Sequence, residues 1–76
     1  MKENLRKIRE QDPGASIKVM YNNIPGHWSV RVPLTDLKID QISRDKSISK
    51  IKLIYSDGRE YIYENPRNKR QDNGNN

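Results

Sequence analysis

The sequence predicts an α+β fold, a short N-terminal helix packed on a bent antiparallel sheet of four to five strands. Three observations carry this. Met1, Leu5 and Ile8 fall at the i, i+4, i+7 spacing of a helix face. From Ala15 onward the apolar period changes to two. Asp57-Gly58 stands between two alternating runs, the composition of a hairpin turn. With 76 residues, 32% hydrophobic and 33% charged, the chain can build only one small core. A domain of about 60 residues buries only about 60% of the surface its unfolded chain exposes.

Residues 2–11 are rich in Lys, Glu, Arg and Leu, all good helix formers. Asp12-Pro13-Gly14 ends that helix, because Pro13 disfavours helical geometry at Asp12. Three apolar anchors do not hold a short helix alone, so it must lie on a sheet. In Ala15 to Tyr21, Ile17, Val19 and Tyr21 alternate with Ser16, Lys18 and Met20 as a first strand. Asn22 to His27 is a turn, and Trp28, Val30 and Val32 alternate with Ser29 and Arg31 as a second strand antiparallel to the first. Pro33 lacks an N–H donor and marks the end or the edge of that strand. In the stretch from Leu34 to Arg44, Leu34 and Leu37 suit a helical turn while Leu37, Ile39 and Gln41 suit a strand. The expectation is a strand from Lys38 to Ser43. Arg44-Asp45-Lys46 then turns into a strand from Ile48 to Tyr55, joined by Ser56-Asp57-Gly58 to another from Arg59 to Glu64.

Residues 1–64 form one domain on this reading. After Asn65-Pro66 the sequence contains no apolar side chain, and nothing offsets the entropy of ordering it, so residues 65–76 are expected to be a disordered basic tail. The order of one helix and about five strands resembles the Sm-like and other SH3-type small barrels in arrangement. That resemblance implies a partly open barrel; no motif of those families is present, and no functional residue is carried over from them.

Charge and composition narrow the function. There is no cysteine and a single histidine, His27, which removes thiol nucleophiles, thiolate metal sites and His clusters. Ser29, His27 and Asp36 make a triad only by assertion, and Asp36 with Asp40 could flank a substrate, yet a core this small rarely spares volume for the pocket that would tune either carboxyl. Neither a Walker loop, GxGxxG, EF-hand nor HExxH is present, so a non-enzymatic protein without cofactor is expected. No apolar run approaches a bilayer span and no signal-peptide core follows the charged start, which predicts a soluble, cytoplasmic protein without membrane contact. The net charge of +5 favours anionic partners.

The cations gather in two zones, Arg44, Lys46, Lys50 and Lys52 and then Arg67, Lys69 and Arg70, with Asp57, Glu60 and Glu64 between them. The leading expectation is a small basic module that binds nucleic acid through these zones, the tail adding capture by counterion release. Register at Asp57-Gly58 decides what the tyrosines do. A two-residue type I′ loop sets Lys50, Lys52, Arg59, Tyr61 and Tyr63 on one face, the alternation of charge and ring that single strands need. A three-residue loop with Gly58 in a bulge pairs Lys50 with Glu64 and moves Tyr61 and Tyr63 to an apolar face with Ile51, Leu53 and Tyr55. The competing expectation is a protein-binding regulator or inhibitor that uses a sheet edge, Ile24, Trp28 and the acidic patch of Asp57, Glu60 and Glu64. Trp28 shares the parity of Val30 and Val32 and is expected in the core, leaving Ile24 as the exposed apolar residue of its loop.

Overall fold

The structure, a computed structural model, describes residues 2–65; Met1 and the tail cations Arg67, Lys69 and Arg70 lie outside these residues. Helix α1 spans Lys2–Gln11, as its apolar spacing predicts, with Leu5 buried and Ile8 packed against the core. Asp12 caps the turn that follows. Its carboxylate accepts from Gly14 N at 3.2 Å and from Ser56 N at 2.9 Å, tying the α1 exit to the distant hairpin loop. These hydrogen bonds, that from Ser56 foremost, hold the Asp12 carboxyl below its ordinary value.

Strands β1 (Ser16–Tyr21), β2 (Val32–Pro33), β3 (Ile48–Ile54) and β4 (Glu60–Glu64) form one antiparallel sheet in the order β2-β1-β3-β4. The long strands β1 and β3 are central, and β2 and β4 are its edges. The fold is thus the expected α+β class, a helix followed by an antiparallel sheet, and the sheet does not close into a barrel. The second expected strand shrinks to two residues because Ser29 takes over part of the ladder: its side-chain Oγ accepts from Val19 N at 3.0 Å, and its N–H donates to Val19 O at 2.7 Å. Only an isolated bridge joins Met20 to Trp28.

Between β2 and β3 the chain forms a second helix, α2 (Asp36–Arg44), where a strand from Lys38 to Ser43 was expected. The cause is local. Thr35 is extended at the N-cap and its side chain accepts from Lys38 N at 3.1 Å, satisfying one of the first-turn donors. Leu34, before the cap, and Ile39, four residues after it, are both buried in the same cluster, the arrangement of a hydrophobic staple. Ile39 and Ile42 then turn inward three residues apart.

The two helices lie antiparallel on one face of the sheet, held by Lys2 to Asp40 at 3.2 Å and Arg9 to Asp36 at 2.9 Å. The core is the layer between them and the sheet: Leu5, Ile39 and Ile42 from the helices meet Ile17, Val19, Ile48, Ile51 and Leu53 from the strands. Asn65, assigned to the tail on sequence grounds, is buried and closes this layer, its side chain donating to Ile48 O at 2.8 Å and Asp45 O at 3.1 Å.

Candidate functional site

Strand register determines which side chains share the helix-free face. Ile17 faces Leu53 and Val19 faces Ile51 on the helix side, so the intervening pairs point away: Ser16 with Ile54, Lys18 with Lys52, and Met20 with Lys50. On the next strand, Ile62 faces Lys52, Glu64 faces Lys50 and Glu60 faces Ile54. The open face therefore carries Lys18, Lys50 and Lys52 on the two central strands, bordered by Glu60 and Glu64 on β4.

Two further residues join it from the loop before β2. Trp28, bridged to Met20, reaches across the sheet so that the Lys52 ammonium stands 4.8 Å from its ring centroid. Arg31 donates through Nε to the buried Ser16 Oγ. The expected core position of Trp28 is thus replaced by a half-buried one on the open face, because the strand that was to carry it inward does not form. Ile24 is 48% exposed, as expected, and Val30, expected to alternate inward, is 78% exposed.

The Lys18–Lys52 pair is the unusual feature. Two ammonium-bearing chains sit directly opposite each other on the central strands, an arrangement that destabilises a sheet. Lys52 finds partial relief from the Trp28 ring and from Glu60, 4.0 Å away. Lys18 has neither of these contacts.

The hairpin adopts the bulged register. Tyr55 N donates to Arg59 O at 2.8 Å, Gly58 N donates to Tyr55 O at 3.0 Å, and Gly58 has φ +97°. Tyr61 and Tyr63 consequently lie on the helix side, opposite Leu53 and Ile51, and the face that would interleave them with Lys50 and Lys52 is not formed. They are 46% and 39% exposed, with Tyr55 edge-on to Tyr61 at 5.7 Å. Burial, together with the neighbouring Tyr55 and Tyr61, raises the Tyr63 hydroxyl above its usual value.

The other predicted site residues are scattered. Arg44 ends α2 and pairs with Asp40 at 2.9 Å, while Lys46 is exposed in the turn before β3. The hydrogen bond from Lys2, with Arg44 nearby, keeps the Asp40 carboxyl below its ordinary value. Asp57 is engaged within its own loop, accepting from Arg59 N at 3.0 Å and Arg59 Nε at 2.8 Å. Asp36 is paired to Arg9, and the Ser29 Oγ accepts from Val19 N, so neither is arranged as part of a triad with His27. Among the described residues there is no cluster of three or more His, Asp or Glu able to hold a metal, and no helix long and apolar enough to cross a membrane.

Sequence reasoning missed Lys18 and Arg31 as members of the basic face. The signal for Lys18 was its parity, opposite to Ile17 and Val19, combined with the like parity of Lys50 and Lys52. Set against models of known families, curated proteins and solved structures, the chain has no match in any of the three.

Proposed function

We propose that the protein is a non-enzymatic binding module that takes single-stranded nucleic acid across the open face of its sheet. The observation that carries this reading is the direct Lys18–Lys52 opposition on the two central strands. A sheet gains nothing from two cations there, and local violations of this kind collect at functional positions. A phosphate placed between the two ammonium groups turns the repulsion into attraction. Lys50 and Arg31 extend the cationic track along the same face, and the overall charge of +5 attracts a polyanion from a distance.

Trp28 supplies the ring. A base stacking on it displaces the Lys52 ammonium, whose hold on the half-buried ring is worth about 0.5–2 kcal/mol, and base stacking returns roughly 1–3 kcal/mol. The released ammonium is then free to meet the neighbouring phosphate. Binding of this kind is tolerant of sequence, because backbone charge and a π-face are common to every nucleotide.

The test is an NMR titration with an oligothymidylate at low salt. The reading predicts shifts at Lys18, Trp28, Arg31, Lys50 and Lys52 and quenching of Trp28 fluorescence, with α1 and α2 unmoved. Shifts confined to Arg44 and Lys46 would place binding elsewhere and overturn it.

A further inference from the structure

The β4 edge is a second surface, at the border of the basic face. All five residues of β4 are exposed, and Tyr61, Ile62 and Tyr63 are three consecutive members of the exposed large apolar set. In the antiparallel ladder, Tyr55 N to Arg59 O and Asn65 N to Ser49 O assign the odd-numbered residues of β4 to bonds with β3. The backbone N–H and C=O groups of Glu60, Ile62 and Glu64 therefore point outward along a five-residue edge. Such an edge is a template for another strand unless its chemistry forbids one.

The side chains at those three positions specify which strand. A second copy added antiparallel about Ile62 sets Glu60 against Glu64 at both ends, like charges directly opposed. We infer that β4 accepts an extended segment of a partner protein by strand addition, the segment carrying Lys or Arg opposite Glu60 and Glu64 and an apolar residue opposite Ile62. Its intervening residues lie beside Tyr61 and Tyr63. Main-chain hydrogen bonds hold the segment, and the alternating basic-apolar-basic side chains select it.

The probe is the synthetic peptide Ser-Lys-Thr-Val-Thr-Lys-Ser, end-capped, with the Glu-for-Lys peptide as control, both followed by amide exchange and chemical shift on the intact chain. The expected result is protection of the Ile62 amide on addition of the basic peptide, with at least about tenfold weaker binding of the acidic one. Ile62→Pro removes only an outward N–H, which an edge strand tolerates. It should abolish binding, while Ile62→Thr retains it. If Ile62→Pro fails to fold, N-methylation of the peptide valine makes the same test: it should abolish binding, and N-methylation of a flanking threonine should not. No binding at about 1 mM peptide, roughly the 4 kcal/mol threshold, would overturn the inference. Equal binding of the two peptides would also do so, as would Ile62 protection in a concentration-dependent dimer without peptide.

Discussion

Replacing Asn65 with Ala tests whether the fold ends where the apolar sequence ends. The Asn65 side chain is buried and donates to Ile48 O at 2.8 Å and to Asp45 O at 3.1 Å, fastening the turn between α2 and β3 to the end of β4. Its backbone N–H donates to Ser49 O at 2.9 Å and survives the substitution. Two side-chain hydrogen bonds, each contributing about 1 kcal/mol net, make the expected loss about 2 kcal/mol. For a domain of about 65 residues, where total stability runs to roughly 3–10 kcal/mol, that is a large fraction. It corresponds to a fall in melting temperature of roughly 8–16 °C. Urea titration followed by Trp28 fluorescence and far-ultraviolet circular dichroism measures it, with Asn65→Asp as a second variant that keeps the shape but loses the donors. A loss below about 0.5 kcal/mol in both, the range of an ordinary surface change, would refute the reasoning.

Gly58 has φ +97° with open space around its missing side chain, so Gly58→Val should cost about 1 kcal/mol or more from backbone strain alone; Asp57→Asn, which keeps an oxygen for Arg59 N, should be tolerated in the same denaturant titration. The depressed Asp12 carboxyl binds protons less readily folded than unfolded. Its stabilising contribution is therefore full above the ordinary carboxylate value near about 3.9 and is lost as pH falls through the lower folded value. Acid titration should show a smaller loss in Asp12→Asn than in the wild type, the remainder coming from the other depressed carboxylates, Asp40 and Asp57. Lys18→Thr should raise stability by a few tenths of a kcal/mol by removing the cross-strand repulsion, while weakening oligonucleotide binding measured by fluorescence anisotropy. A variant that loses both would assign Lys18 a structural role.

The elements legible in the sequence were those governed by local pattern. Leu5 and Ile8 defined α1, the alternation around Ile17 and Val19 defined β1, and Ser56-Asp57-Gly58 defined the last hairpin, whose bulged register follows from the pairing of Leu53 with Tyr61 and of Lys50 with Glu64. Helix α2 was misread because the Leu37, Ile39, Gln41 alternation competed with the signal that decides it, the Thr35 cap with Leu34 and Ile39 on either side. Leu37 is in fact 80% exposed and contributes nothing to the core. The basic face was half legible. Lys50 and Lys52 were identified from charge, but their union with Lys18, Arg31 and Trp28 depends on β3 pairing with β1 across an intervening helix, a long-range contact that no local pattern encodes.

The salt dependence of single-strand binding bears most directly on the open face as the site. Affinity for a fluorescein-labelled oligothymidylate, measured between about 20 mM salt, where screening is weakest, and 200 mM, should fall linearly on a log-log plot, each phosphate contact contributing about −0.7 to the slope. Replacing Lys18, Lys50 and Lys52 together by Gln removes two phosphate contacts, one shared by Lys18 and Lys52, and should reduce the magnitude of that slope by about 1.4, whereas replacing Arg44 and Lys46 should leave it nearly unchanged. No affinity at about 20 mM salt, or a triple variant with the wild-type slope, would contradict the account.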